Sequence, residues 1–578
     1  MLFLKKKIPI LGWITDYSIK LLKKDAVAGL TVGVMLIPQG MAYALIAGLP
    51  PVYGLYASVF PQIIYAIFGT SRKISVAPVA MDSLLVATGL ALLAKQSTSE
   101  YIQLAILLSL LVGFFQFALG IFRMGFIANL LSKPVIKGFT SAAAIIIAIN
   151  QLKHILGITS SKSNHVFHLI PSLIKNISQL NSYTLFLALF VVLLLKTIPK
   201  ISKAIPSALV AVLCTIAIVF CFNLNELDVK IIGEIPKGLP SFQLLDLTNS
   251  NIKQLVPLAF TLAIISFMEA FSVAKALESK AKDDNVKPNQ ELIALGLSNM
   301  VGSLFQSYPV TGSFSRSAIN EQAGAKTQIT ALFCALLIAC TLLFLTPIFY
   351  FLPYATLGTI ILLAVLRLID FNYAKNLYKT DKQEFLILLI TFMITISLNM
   401  VVGILTGIAC AILLFIYKSA YPHIALLGRL KNYPEYRNLN RFDNLSQWDN
   451  IIIVRHDAPL TFINVQNFKT YLENQINKKG TSISYIILDC AAISFLDPTA
   501  ASTIKEMIES LKEGNITLLL SDVIGPVRDV LQKTKLTEIL TQKAVFIDIE
   551  EAVRFATTNN KGRFKEYALQ TNNESLNN

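Results

Sequence analysis

Residues 77–82 read Ala-Pro-Val-Ala-Met-Asp, and residues 308–316 read Tyr-Pro-Val-Thr-Gly-Ser-Phe-Ser-Arg. Both stretches lie in strongly apolar sequence. Each has a Pro-Val step that leads into a short helix-compatible run. Each also carries an ionisable residue, Asp82 or Arg316, where lipid would make a charge costly. Proline keeps the residue before it extended and ends any helix there. Each stretch is therefore read as extended chain that turns into a helix in mid-membrane, tolerable only where protein surrounds it. Two ordinary proline-kinked helices are the plainer alternative.

Of the 578 residues, 54% are hydrophobic and 15% charged, with a mean hydropathy of +0.61. Soluble domains carry roughly 25% charged residues, so most of this chain is expected in a membrane. The net charge of +15 is dispersed between apolar segments. That distribution fits a positive-inside topology bias and argues against nucleic-acid binding. Cys214, Cys221, Cys334, Cys340 and Cys410 lie in apolar runs and Cys490 in a strand-like run. None has metal-site spacing, so they read as small buried hydrophobes, and no cofactor is expected. The five histidines, at 154, 165, 168, 423 and 456, lie outside the expected spans and form no catalytic constellation. Nothing in the chain supports an enzyme.

Residues 1–25 hold six lysines against Asp16 and Asp25 and read as a cytoplasmic, partly amphipathic segment. Pro9, Asp16 and Lys20 interrupt its apolar character, so no cleavable signal peptide is expected. Fourteen candidate spans follow within 26–420. Seven lie at 26–48, 52–69, 78–94, 101–121, 126–150, 182–197 and 205–222. Seven more lie at 254–277, 289–306, 313–324, 327–347, 354–369, 383–400 and 401–420. An odd number of spans per half inserts the second half upside down, giving a 7+7 inverted repeat. The third span of each half is short and starts at a Pro-Val, which marks the binding site. With the N-terminus inside, the cytoplasmic loops carry Lys196, Lys200 and Lys203, then Lys280, Lys282 and Lys287, then Arg367, Lys375, Lys379 and Lys382. The loop at 151–181 is an exception, placing Lys153, Lys162 and Lys175 outside. The even span count returns the C-terminus to the cytoplasm.

Residues 421–449 are polar and aromatic and read as a linker. From 450 to 556 short β-type runs at 451–454, 485–488 and 516–520 alternate with helix-compatible segments near 464–478, 499–512, 525–533 and 548–556. That pattern is an α/β domain of soluble type. The tail at 557–578 is rich in Asn and Lys and reads as disordered.

Residues 29–47 read Gly-Leu-Thr-Val-Gly-Val-Met-Leu-Ile-Pro-Gln-Gly-Met-Ala-Tyr-Ala-Leu-Ile-Ala. Gly-Leu-Pro-Pro-Val-Tyr-Gly-Leu-Tyr at 48–56 and Phe-Gly-Thr-Ser-Arg at 68–72 follow. In the second half, Met-Glu-Ala-Phe-Ser-Val-Ala-Lys-Ala-Leu stands at 268–277 and Pro-Val-Thr-Gly-Ser-Phe-Ser-Arg-Ser-Ala-Ile-Asn at 309–320. This order, over residues 20–555, resembles the sulfate permease (SulP) family, solute carrier family 26. The stretches 459–464 and 488–501 resemble a STAS domain. The resemblance implies a nucleobase-transporter-like fold, with spans 1–4 and 8–11 as a mobile core and 5–7 and 12–14 as a gate. It also implies a homodimer and elevator-type alternating access. It places Gln39 and Tyr43 against the substrate; a helix–helix hydrogen bond and packing are their blander roles.

Helix N-termini carry unpaired N–H groups and about half a positive charge each, so two that meet make an anion site from backbone alone. The expected donors are the amides around Val79 and Ala80 and around Phe314 and Ser315, with Ser313 and Ser315 adding hydroxyls. A charge at the bilayer centre costs about 2.5–3.5 kcal/mol on insertion scales, so Arg316 is expected beside an anion or paired with Glu269. Glu269, in mid-span, reads as a proton carrier because desolvation favours a neutral carboxyl group; an ion pair with Arg316 or Lys275 is the alternative. The family position of Asp82 is commonly apolar. Ionised, it would repel an anion, and protonated it would not, so Asp82 is a second candidate for proton coupling; offsetting the helix dipole is the plain role. In the STAS region Asp497-Pro498-Thr499-Ala500 lacks the hydroxyl that commonly follows the Asp, which favours binding over phospho-regulation for Asp497 and Thr499.

The sequence thus predicts a multi-pass inner (plasma) membrane protein with both termini cytoplasmic. Its expected activity is secondary transport of an inorganic anion or small carboxylate, sulfate with protons first. Bicarbonate or C4-dicarboxylate uptake, anion exchange and a membrane anion sensor signalling through its STAS domain are the alternatives. Expected partners are the bilayer, a second copy and a cytoplasmic protein at the STAS domain.

Overall fold

Helix α1 (Ile19–Ile46) runs 28 residues, about 42 Å at 1.5 Å per residue, straight through Pro38. No break forms there, although the proline leaves the carbonyl of Val34 without its helical donor. The computed structural model describes residues 8–91, 93–129, 132–158, 166–201, 206–245, 252–278, 286–366, 368–398, 400–431, 433–480, 482–540, 544–558 and 564–565. Lys5 to Lys7, Lys162, His165, Lys203, Lys280, Lys282, Arg367 and most of the tail expected to be disordered lie outside the described residues. The chain forms two compact units, 1–411 and 412–578.

The first unit continues with α2 (Val52–Tyr56), α3 (Phe60–Phe68), α4 (Ala80–Leu90), α5 (Ser99–Ile121), α6 (Lys133–Leu156), α7 (Val166–Lys175), α8 (Ser182–Ile201) and α9 (Ser207–Cys221). Its second half holds α10 (Ile252–Glu278), α11 (Pro288–Leu304), α12 (Phe314–Gln322), α13 (Ile329–Cys340), α14 (Tyr354–Leu366), α15 (Phe371–Thr380) and α16 (Lys382–Ser397), and the division between the units falls within α17 (Met400–Ala420). Each expected span coincides with helix. Among the described residues eight helical segments are long and apolar enough to cross a membrane. Others are shorter: 52–69 splits into α2 and α3, and α4 and α12 have only 11 and 9 residues. A spanning helix needs about 20. This is an α-helical polytopic membrane fold.

The helices pack in two groups. One holds α5 on α11, α1 on α13, α3 on α11 and α10 on α5; the other holds α16 and α14 on α6, with α8 on α14 and α9. In the first group the backbones of α5 and α11 nearly touch. A Cβ at Gly113 would stand 2.6 Å from the carbonyl oxygen of Gly296, so both positions need glycine. Asp25, expected in a solvated leader, is buried in α1. Its carboxylate accepts the N–H groups of Lys326 (2.7 Å) and Thr327 (3.2 Å) and the Thr327 hydroxyl (2.6 Å), which satisfies the turn that starts α13.

In the second unit a sheet runs β10-β5-β3-β6-β7-β8-β9, with β4 on β3. The strands are β3 (Ile424–Leu430), β4 (Tyr436–Asn438), β5 (Leu445–Trp448), β6 (Ile451–His456), β7 (Tyr485–Asp489), β8 (Thr517–Ser521), β9 (Val545–Phe546) and β10 (Phe564–Lys565). Strands β6 to β9 are parallel. Strands β6, β7 and β8 are buried almost end to end because helices cross between them. These helices include α18 (Val465–Lys479), α19 (Pro498–Glu513), α20 (Gly525–Lys533), α21 (Leu536–Ile539) and α22 (Ile549–Thr558). Residues 421–449 are a correction to the expected linker: they form β3, β4 and β5 and bury Ala425, Leu427, Tyr436 and Trp448. Gly428, Arg429 and the polar turn between β3 and β4 mask the alternation there.

Candidate functional site

The strands β1 (Val76–Ala77) and β2 (Thr311–Gly312) pair antiparallel in the first unit, Val76 opposite Gly312 and Ala77 opposite Thr311. Helix α4 starts three residues after β1, and α12 two residues after β2. Antiparallel pairing sends the two helices away in opposite directions, with both N-termini at the crossing. The Ser313 N–H extends the pairing by donating to the Ser75 carbonyl at 3.0 Å. Gly312 fits because a side chain there would strike Ile74 and Ala270 of α10.

Neither N-terminus is capped by a side chain. The first intrahelical bonds are made by the N–H groups of Ser83 and Ser317, to Val79 and Ser313, each at 3.0 Å. The amides of residues 80–82 and 314–316 precede them and have no intrahelical acceptor. The two arms differ in access. Val79 and Ala80 are buried, whereas Phe314 is 63% exposed and Ser315 is exposed beside it. The Ser313 and Ser315 hydroxyls lie 3.3 Å apart at that open end. Helix α1 packs against both α4 and α12, and brings Tyr43, buried, and Gln39, whose Oε1 is buried without a hydrogen-bond partner.

Arg316 is 1% exposed. Its guanidinium donates to the carbonyls of Pro78 (2.8 Å) and Ala77 (3.1 Å), and to the Ser75 hydroxyl (3.4 Å). These acceptors belong to the opposite arm, where the turn from strand to helix leaves carbonyls unpaired. The alternative ion pair between Arg316 and Glu269 is not formed, and Lys275 pairs instead with Glu278 at 2.5 Å.

Polar side chains that the sequence reading passed over fix the second arm. Asn299 of α11 accepts the Val310 N–H at 2.8 Å and donates to the Val310 carbonyl at 3.1 Å. Gln116 of α5 accepts from Asn299 at 3.1 Å and donates to Ser266 of α10 at 2.8 Å. Thr311 donates to the Ser266 carbonyl at 2.6 Å, and the Tyr308 and Ser83 hydroxyls bridge the arms at 3.2 Å. Glu291 accepts from Tyr65 (2.6 Å) and from the Thr70 N–H (2.7 Å), holding the loop before β1. An amide or carboxyl group inside an apolar helix was the available signal.

Two carboxyl groups stand apart from this network. Asp82 is fully buried and neither of its oxygens has a hydrogen-bond partner; Glu269 Oε2 is buried in the same condition. The two lie within electrostatic reach of each other, and Glu269 also of Arg316 and Tyr43. Unpartnered buried carboxylates are costly. In the second unit Asp497 caps α19, accepting from Ala500 N–H at 2.7 Å, and its other oxygen accepts from Phe462 N–H at 2.7 Å. Thr499 is exposed on the first turn. Among the described residues no group of three His, Cys, Asp or Glu side chains is placed to hold a metal.

Comparison with known proteins gives concordant matches. The model of the sulfate permease family matches residues 22–391, and that of the STAS domain residues 444–552. Sulfate transporter 4.1 of Arabidopsis thaliana, described as chloroplastic, is 35% identical over 566 residues, covering 94% of this chain and 82% of the relative. A probable sulfate transporter of Mycobacterium tuberculosis is 30% identical over 539 residues, covering 93% of this chain and 96% of that one. The murine solute carrier 26 family member A9 anion transporter, solved in an inward-facing state, superposes with a TM-score of 0.87 at 28% identity, covering 96% of this chain and 95% of that one.

Proposed function

Because the chain belongs to the sulfate permease family, with a C-terminal STAS domain, we propose that it is a secondary active transporter of a small inorganic oxyanion, sulfate first, coupled to protons. The family is one of transporters and not of enzymes. The observation that carries the reading is the crossing itself: two uncapped helix N-termini brought together by β1 and β2, one of them open at Phe314 and Ser315. Amides 80–82 and 314–316 would hold the oxyanion, with the Ser313 and Ser315 hydroxyls beside them and Gln39 and Tyr43 along α1. Arg316 sets the positive field and holds the arms in register.

Asp82 and Glu269 supply the coupling. An anion entering beside two ionised carboxylates is repelled, at effective protein dielectric, by several kcal/mol. Protonation removes that repulsion, so proton and anion travel together. The two helix groups are the core (α1 to α5 with α10 to α13) and the gate (α6, α8 and α9 with α14, α16 and α17), which slide past each other in alternating access. The protein works as a homodimer in a plasma membrane with both termini cytoplasmic, and its STAS loop at Asp497 and Thr499 docks a cytoplasmic protein.

The test is uptake of labelled sulfate into proteoliposomes, with and without an inward proton gradient, with bicarbonate and succinate as competitors. Sulfate accumulation that rises with the gradient is expected. Binding without net uptake would instead make the protein an anion sensor, and stronger competition by bicarbonate or succinate would reassign the substrate.

A further inference from the structure

Lys153, with Lys162 and Lys175 of the same loop, departs from the charge rule that orients the cytoplasmic loops. With the N-terminus cytoplasmic, α6 ends on the outer side, where lysine is disfavoured. Lys153 lines a polar cavity at that end. A cavity of about 60 Å³ lies between the ends of α1, α4 and α6, lined by Leu84, Gln96, Asn150, Gln151, Lys153 and His154. One water takes roughly 10–15 Å³ on this measure, so the space holds a few waters or one small oxyanion. Its polar lining is amide, imidazole and ammonium, and none of the described lining residues is acidic.

A second cation adds to the field. Lys230 is exposed and within electrostatic reach of His154. Its carbonyl accepts the Tyr354 N–H at 3.1 Å, and the Tyr354 ring stacks on His154 with centroids 5.5 Å apart. Gln96 brings the cavity to the surface, between the exposed residues Lys95 and Ser97. Leu84 stands four residues after Ala80, about 6 Å along α4. The cavity therefore flanks the half-helix whose N-terminus forms the central site.

We infer that this cavity is an outer capture site for a small oxyanion, in which Lys153 and the amides of Gln96, Asn150 and Gln151 hold the anion before it moves along α4 to the crossing. The inference rests on the transport reading above. A charged cleft raises the local concentration of its ligand, and salt weakens that effect.

The experiment is sulfate uptake by right-side-out proteoliposomes of the full chain. Lys153→Gln is expected to raise KM roughly 3-fold and Lys153→Glu roughly 10-fold, the low end of electrostatic steering. Maximal rate should stay within about twofold, and Lys153→Arg should keep the wild-type KM. Added sodium gluconate should raise the wild-type KM and change that of Lys153→Gln less. Lys175→Gln, an exposed lysine of α7 away from the cavity lining, should leave KM unchanged. The site is overturned if Lys153→Glu keeps the wild-type KM, if Lys175→Gln raises it equally, or if the wild-type KM ignores salt. The salt arm needs no variant, so it decides even if a substitution prevents folding. A wild type that transports while these arms fail sinks only the capture site; a wild type that takes up no sulfate sinks both readings.

Discussion

Arg316 donates from Nη1 to the carbonyl oxygen of Pro78 at 2.8 Å, across the crossing and 238 positions back in the sequence. With its bond to Ala77, this ties the start of α12 to the arm that precedes α4. Removing the guanidinium leaves buried carbonyls unpaired, at about 1–3 kcal/mol each. Arg316→Gln is expected to lower the unfolding midpoint in detergent and to cut sulfate uptake on the order of 10–100-fold, since a misplacement of about 1 Å costs that much. Arg316→Lys keeps the charge but offers a single ammonium in place of a planar fork, so it should restore less than half of the lost stability. If Lys restores uptake fully, the field of Arg316 matters and its bonds do not.

Asp82 gives the second prediction its sign. On the proposed transport reading, its ionised form would repel the anion and its protonated form would not, so wild-type uptake should rise as pH falls. Asp82→Asn removes the titrating group without changing its size, and uptake should lose much of that acid dependence. Glu269 and Tyr308 also lie within electrostatic reach of this region, so Glu269→Gln is needed as a parallel variant and the double variant should be flattest. An unchanged pH profile of uptake in Asp82→Asn would sink its coupling role.

The crossing was legible in sequence because proline and apolar flanks speak locally: Pro78 and Pro309 marked both arms, and the helices start within two residues of the expected places. The second unit's strands β6, β7 and β8 were legible for the same reason, as short apolar runs between helical segments. What lay beyond reach was pairing at a distance. Arg316 was expected beside an anion or paired with Glu269; that its guanidinium bonds to carbonyls of the other arm depends on which arm it faces. Asn299 and Gln116 meet only because α5 and α11 lie backbone to backbone at Gly113 and Gly296. The antiparallel strands β3 to β5 were missed because they are short or broken by Gly428, Arg429 and the polar turn between β3 and β4, which hides their alternation.

Asn299 holds both backbone groups of Val310, one with each end of its amide. Asn299→Leu leaves a buried N–H and a buried carbonyl unpaired, a loss of about 2–6 kcal/mol from those two groups. The expected outcome is a lower unfolding midpoint in detergent, with residual uptake at reduced maximal rate. Gln116 shares the network, so its change to Leu should add less on top of Asn299→Leu than it costs alone. Additive losses in that double-mutant cycle would show that the two side chains act separately.

Asp489, at the end of β7, is 4% exposed. Burial lifts its carboxyl above the ordinary range, while the Ala491 N–H and Arg455 pull it down less strongly. A carboxyl whose folded-state pKa is raised binds its proton more tightly in the folded chain. The unfolded chain therefore releases that proton first, near pH ~4, and stability falls as pH rises from there through the folded value. Asp489→Asn removes the titration and retains the oxygen that accepts the Ala491 N–H at 3.0 Å. The variant of the full chain should thus unfold at a higher temperature than wild type at pH 8, and the gap should shrink toward pH 4. Thermal unfolding followed across that range checks it. Two curves that run parallel at every pH would mean that Asp489 is neutralised by its neighbours and that its burial carries no cost.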